Sequence, residues 1–98
     1  MIDTIEDLRV WHCNKDTSNK VWGHFKNGNQ HWAFWGAVGA NWTFKNHGPT
    51  GWFDLVRLAN QKERKDYFPV DLSYLNNLDP LWQERFNERF VYFCLTYS

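Results

Sequence analysis

The sequence has few cysteines, few prolines and no long apolar run. Two of its 98 residues are cysteine and three are proline, so a disulfide-rich scaffold is excluded. No stretch approaches the roughly 18 apolar residues of a membrane-spanning helix, which excludes a membrane span. The first residues carry no basic segment followed by an apolar one, so we expect no secretory signal. These absences predict a cytoplasmic protein with reduced thiols.

Metal-binding and catalytic motifs are also missing. The histidines and cysteines form no C-x-x-C or H-x-x-x-H spacing. His24 and His31 can face each other across a hairpin, but two ligands do not make a metal site. His12 and Cys13 are neighbours in a strand and point to opposite faces, which argues against a catalytic dyad. The sequence therefore predicts no enzymatic activity, no metal and no cofactor.

Aromatic side chains are abundant. The chain contains seven Trp, eight Phe and four Tyr, and each can bury about 150 to 250 Å² on folding. This compensates for the modest fraction of surface that a chain of this length can bury. The composition predicts one compact domain.

The formal net charge is zero, but it is distributed unevenly. Residues 9–65 carry nine basic and three acidic side chains, a formal charge of +6, whereas residues 1–8 and 66–98 each carry −3. A basic segment of this kind attracts polyanions such as nucleic acid. The alternative is an ordinary solvated surface on which the charges happen to cluster.

Alternating apolar residues predict a sheet. The predicted strands cover residues 8–13, 21–26, 31–35 and 41–45. Asn27 and Gly28 between the second and third strands are typical of a type I′ hairpin turn. In the third strand, the alternation places Trp35 on one face and Trp32 and Phe34 on the other.

Two helices are expected beside the strands. Apolar residues recur at three and four residue intervals in residues 52–65, whose second half is basic. Asp79 and Pro80 suit the N-cap and first position of a second helix, which we expect to reach about residue 92. Residues 90–97 can instead form an edge strand. Strands and helices together indicate an α+β fold.

Three short motifs occur in the order found in a known family. They are SNKVW at residues 18–22, WGAVG at 35–39 after the hairpin, and KDYFPV at 65–70 after the first helix. Because these motifs occur in this order among the predicted strands and helix, residues 8–70 resemble the WGR domain. This domain is a module of the DNA-damage-dependent poly(ADP-ribose) polymerases and of many small bacterial proteins.

The resemblance implies a small, twisted, mostly antiparallel sheet with one helix laid across it. It divides the chain into a WGR-like domain, residues 1–70, and a C-terminal helical extension, residues 71–98, packed on or beside that domain. In the polymerases, the motif Trp packs on sugar at a broken DNA end, and backbone and basic groups hold phosphates. A motif Arg also helps to couple domains.

The motif is incomplete in this chain. Trp35 matches the motif Trp, and Gly36 and Gly39 match its glycines, but Ala37 stands where the Arg is expected. A charge-assisted hydrogen bond of the kind an Arg makes contributes roughly 1.5 to 3 kcal/mol. Its loss predicts DNA binding about ten to a hundred times weaker than with the complete motif.

The first hypothesis is a stand-alone nucleic-acid-binding module that contacts the DNA backbone, ends or nicks without reading bases. Its predicted contact residues are Trp35, Gly36, Gly39, Lys20, Lys26 and Lys45. The alternative for Trp35 is packing in the core, and for the two glycines it is a tight turn.

The second hypothesis is a protein-interaction module, or a small inhibitor of a partner protein, with no role in nucleic-acid binding. It depends on an aromatic stripe in the extension, formed by Trp82, Phe86, Phe90 and Phe93. If this stripe is exposed, it is a partner interface or a homodimer contact. If it is buried on the sheet, it is an extension of the fold, and the protein can be a monomer or a homodimer.

Overall fold

The computed structural model of the protein describes residues 5–97, apart from the side chain of residue 97. The elements along this range are β1 (Ile5–Cys13), β2 (Lys20–Asn27), β3 (Gln30–Ala37), β4 (Thr43–Gly48), α1 (Trp52–Arg64), β5 (Phe68–Val70), α2 (Leu72–Leu78) and α3 (Trp82–Tyr97). The strands form one antiparallel sheet in the order β4-β3-β2-β1-β5. The predicted α+β fold, with a packed helix and a C-terminal helix, is confirmed. No helix in this range is both long and apolar enough to cross a membrane.

The β2–β3 hairpin sets the register of the central strands. Asn27 pairs with Gln30, so the two loop residues are Gly28 and Asn29. Gly28 has a φ of +61°, whereas Asn29 is not among the residues with positive φ. A positive φ at the first loop position alone is the type II′ pattern. The predicted hairpin is confirmed. The predicted turn is wrong in type, because it is not type I′, and in position, because it is centred on Gly28 and Asn29 rather than on Asn27 and Gly28.

Both faces of the sheet are covered by a helix, because the central strands carry apolar side chains on both sides. On one face, α3 covers a cluster that includes Val10, Val21, Phe25, Trp32, Phe34, Trp42 and Phe44. On the other face, α1 packs Leu55 and Ala59 against Trp11, Trp22 and Ala33. Trp35 shares this second face, opposite Trp22 in the neighbouring strand.

The aromatic stripe of the extension is buried. Its four members, Trp82, Phe86, Phe90 and Phe93, belong to the core cluster between α3 and the sheet. A partner cannot reach these side chains in this structure. The hypothesis that they form an exposed interface or a homodimer contact is therefore wrong. They extend the core of the preceding segment, so α2 and α3 share one hydrophobic core with the strands.

The boundaries of the C-terminal helix differ from the prediction. α3 begins at Trp82 rather than at Pro80, and it continues to Tyr97. The alternative of an edge strand over residues 90–97 is therefore wrong. Asp79 is not an N-cap but the C-cap residue of α2, with φ −146° and ψ 82°.

The sequence patterns do not predict two short elements, β5 and α2. Strand β5 contains Pro69, which pairs opposite Trp11 at the edge of the sheet, where a missing N–H is tolerated. Helix α2 begins after Asp71, whose carboxylate accepts a hydrogen bond from the backbone N–H of Tyr74 at 2.8 Å. With seven residues, α2 is too short to show a helical period in sequence.

Candidate nucleic-acid interface

Trp35 is partly exposed on the face of the sheet that α1 covers. In β3 it lies between Trp22 of β2 and Thr43 of β4, its direct partners in the two strand pairs. Trp22 is 3% exposed because α1 packs over it, whereas Trp35 is 39% exposed beside the helix. Trp35 therefore offers an indole surface to a ligand.

Two predicted lysines are neighbours of Trp35 on the same face. Lys20 precedes Trp22 by two residues in β2, and Lys45 follows Thr43 by two residues in β4. Each is therefore a diagonal neighbour of Trp35, with Cα atoms roughly 7 to 8 Å apart in such a position. The sheet register places one lysine on either side of the indole.

A third lysine and a tyrosine come from the end of α1. The backbone N–H of Tyr67 donates to the carbonyl of Lys62 at 3.1 Å, and the N–H of Asp66 donates to Glu63 at 3.2 Å. These two bonds close the helix in a Schellman motif, with Asp66 at φ +70°. The turn holds Tyr67 under Lys62, whose Nζ lies 5.1 Å from the centre of the tyrosine ring.

Trp35, Lys20, Lys62 and Tyr67 line one shallow depression of about 340 Å³, and Lys45 does not. Its lining comprises Lys20, Val21, Trp35, Gly36, Ala37, Lys62 and Tyr67. We call Trp35, Lys20, Lys45, Lys62 and Tyr67 the Trp35 surface. Of these, Lys62 and Tyr67 are not among the predicted contact residues. Tyr67 belongs to the KDYFPV motif, whereas Lys62 lies outside the three motifs and reaches the depression because of the path of α1 across the sheet.

The Trp35 surface concentrates positive charge. Burial lowers the pKa of Lys62, and the nearby Lys65 and Lys20 lower it further by repulsion. Among residues 5–97, no carboxylate lies within 4.0 Å of Lys20, Lys45 or Lys62. A bound anion would relieve the repulsion between these ammonium groups.

The two motif glycines have structural roles. A Cβ on Gly36 would lie 2.6 Å from Cδ1 of Trp42, so the missing side chain lets that indole pack against the strand. Gly39 has a φ of +81°, which favours glycine, and its N–H donates to the Asp79 carboxylate at 2.9 Å. The Gly39 N–H is therefore not free to bind phosphate, whereas Gly36 still lines the depression with its backbone.

The structure does not bring Lys26 to the Trp35 surface. Lys26 lies at the hairpin end of β2, opposite His31, six residues from Lys20. At the rise of a β-strand, that separation is about 20 Å. The predicted contact set is therefore split, with Lys20 and Lys45 beside Trp35 and Lys26 remote from it.

His24 is a buried titratable group on the same face of the sheet. It is 5% exposed, and its burial lowers the pKa of the imidazole to about 4. Repulsion from Arg9 and His31 acts in the same direction, and Asp7 acts against it. The folded protein therefore holds His24 neutral at neutral pH.

We expect this burial to make the protein less stable in acid. The unfolded chain binds a proton at His24 below pH 6.5, whereas the folded protein binds it only near pH 4. Stability is therefore fully present above pH 6.5 and decreases by about 3 kcal/mol as the pH falls through this window. Urea unfolding across the window measures the loss. The variant His24→Gln should show a correspondingly shallower pH dependence, and an identical dependence in both proteins would contradict the expectation.

Comparisons of the chain with known protein families, with curated proteins and with solved structures found no match. The resemblance to the WGR domain therefore stays a prediction from the three motifs. Within the part of the chain that the structure describes, no three His, Cys, Asp or Glu side chains are grouped closely enough to hold a metal ion.

Proposed function

We propose that the protein binds the backbone of nucleic acid through the Trp35 surface. The observation that carries the proposal is a 39% exposed indole beside lysines that no carboxylate neutralises within the described residues. The sheet register puts Lys20 and Lys45 diagonally beside Trp35, and the end of α1 brings Lys62 to the depression that Trp35 and Lys20 line.

Each part of this surface suits one part of a nucleotide. The flat, apolar indole provides a platform for a sugar or an unstacked base. The lysine ammonium groups attract phosphates irrespective of sequence. Because contacts to phosphate carry no sequence information, we expect binding to the DNA backbone, ends or nicks without base readout.

Lys62 offers a cation near the position where the WGR motif has an arginine. Ala37 and Lys62 line the same depression, so α1 supplies a positive charge close to the uncharged motif position. A lysine acts as a point charge and lacks the two-pronged hydrogen bonding of a guanidinium. Binding through Lys62 should therefore be weaker and less dependent on the geometry of the DNA end.

We expect the affinity for DNA to decrease with salt, because each neutralised phosphate releases counterions. If Lys20, Lys45 and Lys62 each neutralise one phosphate, the logarithm of the association constant should fall with that of the salt concentration with a slope of about −3. Anisotropy titrations with nicked, blunt-ended and single-stranded DNA at several salt concentrations measure this slope. A flat response would exclude binding through phosphates.

The position of the contacts is tested by two lysines of the same strand. Lys20→Ala should weaken binding and reduce the magnitude of the salt slope by about 1, whereas Lys26→Ala removes the same charge about 20 Å away and should change the slope little. Trp35→Ala should weaken binding at every salt concentration. Equal effects of Lys20→Ala and Lys26→Ala would show attraction by overall charge and contradict the Trp35 surface.

A further inference from the structure

Lys62 places a primary amine in the depression beside Trp35. Its side chain is partly buried and lines the depression together with Lys20, Trp35 and Tyr67. The Nζ atom lies over the Tyr67 ring, 5.1 Å from the ring centre, and the Schellman turn ties Tyr67 to the end of α1. The fold therefore holds this amine at one place on the surface.

Positive groups surround Lys62. Lys65 lies at the end of the same helix, and Lys20 reaches the depression from β2. Burial lowers the pKa of the Lys62 ammonium, and repulsion from Lys65 and then Lys20 lowers it further. An amine that is partly removed from water and lies beside other cations has a larger neutral fraction at neutral pH. The neutral amine is the form that attacks a carbonyl carbon.

The carboxylates nearest to Lys62 in the sequence are engaged elsewhere. Glu63 accepts a hydrogen bond from the indole Nε1 of Trp11 at 3.2 Å, and Asp66 forms an ion pair with Lys15 at 2.7 Å. Within the described range 5–97, no carboxylate lies within 4.0 Å of the Lys62 Nζ. In this range, the amine therefore lacks the close anion that would favour its charged form.

We propose that Lys62 forms a Schiff base with the aldehyde of a sugar phosphate, such as the ring-opened sugar of an abasic nucleotide. The ammonium first loses one proton to solvent, and the neutral amine then attacks the aldehyde carbon. A C–N bond forms, the C=O bond breaks, and the oxygen leaves as water with both amine hydrogens, so the step needs no oxidant or reductant. Water reverses the reaction, which makes it a reversible capture of the sugar.

The other residues of the depression suit a sugar phosphate. Lys20 provides an ammonium for the phosphate, and Trp35 offers an apolar face to the carbon skeleton. Gly36 and Ala37 line the depression with small side chains, which leaves room next to the amine. The aldehyde can belong to a free sugar phosphate or to an abasic nucleotide, and only the second source rests on the proposed binding of nucleic acid.

The test is reductive trapping on the intact protein, because cyanoborohydride converts a Schiff base into a stable secondary amine. The probes are deoxyribose 5-phosphate and a DNA duplex with an abasic site beside a nick, and mass spectrometry of peptides locates the modified lysine. We expect Lys62 to react about tenfold or more faster than Lys26, because binding raises the effective concentration of the aldehyde at Lys62. Lys26 is also partly buried but does not line the depression. Equal reaction of the two lysines would overturn the proposal.

Three variants separate the nucleophile from its charge. Lys62→Arg keeps a positive charge but has no amine that can form a Schiff base, so the fast phase of trapping should disappear. Lys65→Ala removes a cation that lowers the Lys62 pKa, so the acidic limb of the pH–rate profile should move to higher pH. The matched control Lys26→Ala should leave both the rate and the profile unchanged. A fast phase that persists in Lys62→Arg, or an unmoved profile in Lys65→Ala, would contradict the proposal.

A duplex with tetrahydrofuran in place of the abasic sugar separates the Schiff base from the proposed function. It has no aldehyde, so it should bind like the abasic duplex in anisotropy titrations and give no trapped product. Binding of this duplex without trapping of either aldehyde probe would overturn the Schiff base alone. Trapping of deoxyribose 5-phosphate at Lys62 without binding of either duplex would support a free sugar phosphate as the ligand and overturn the proposed function. Faster trapping of the abasic duplex would identify the abasic nucleotide as the source of the aldehyde.

Discussion

Phe86→Ala should lower the free energy of unfolding by about 3 to 5 kcal/mol, the usual cost of truncating a buried aromatic ring. Phe86 is 1% exposed and lies at the centre of the contact between α3 and the sheet. Its ring packs with those of Phe25, Phe34, Trp42, Phe44, Trp82 and Phe90. Because a domain of this size is stable by roughly 5 to 15 kcal/mol, the loss should be plain in thermal and urea unfolding.

The matched control lies on the same helix. Leu95 is 84% exposed, so Leu95→Ala should change stability by no more than about 0.5 kcal/mol. This comparison also decides what the aromatic stripe does. If Phe86→Ala left the unfolding free energy unchanged and abolished self-association, the stripe would be an interface and the burial beneath α3 would be contradicted.

The two faces of the sheet show what alternation can and cannot predict. It correctly places Val21 and Phe25 on one side of β2 and Trp22 and His24 on the other. Since large rings occur on both sides, the pattern has no polar face to mark as solvent. The stripe of α3 is equally suited to a sheet and to a partner, so its location depends on tertiary packing that one sequence does not display.

The Trp35 surface is predictable only in part, for a related reason. Local alternation gives the face on which Trp35 lies, and its lysine neighbours in β2 and β4 then follow from strand register. Lys62 is 27 positions along the chain from Trp35, and its place depends on the direction in which α1 crosses the sheet. In the sequence, Lys62 is followed by Arg64 and Lys65, and such a basic run is equally typical of a helix C-terminus, where cations are stabilised. The sequence therefore does not single out Lys62 as a contact residue.

Asp79 shows how a tertiary contact overrides a local signal. Asp followed by Pro is typical of a helix start, yet the Asp79 carboxylate is buried and accepts from the N–H of Gly39. It also forms an ion pair with Arg85. These contacts tie the beginning of α3 to the turn after β3, and that turn carries the motif glycine. The local pattern identifies a helix boundary correctly within a few residues, but it cannot show a partner 40 positions away.

Arg85→Met should therefore lower the free energy of unfolding by about 3 to 5 kcal/mol, since removing one partner leaves a buried charge without compensation. The Arg85 guanidinium pairs with Asp79, and its Nε donates to the carbonyl of Ala40 at 3.1 Å. Both partners belong to the junction between α3 and the turn, so Met, which retains much of the stem, removes the charge while keeping apolar bulk.

A double-mutant cycle with Asp79→Asn separates the ion pair from the packing of the stem. Asp79→Asn retains an acceptor for the Gly39 N–H, so most of its cost should come from losing the charge opposite Arg85. If the two charges stabilise each other, the double variant should be less destabilised than the sum of the single variants, with a coupling of about 1 kcal/mol or more. Additive effects would mean that Arg85 acts through its bond to Ala40 alone, and the ion pair would not be what holds the C-terminal helix to the turn.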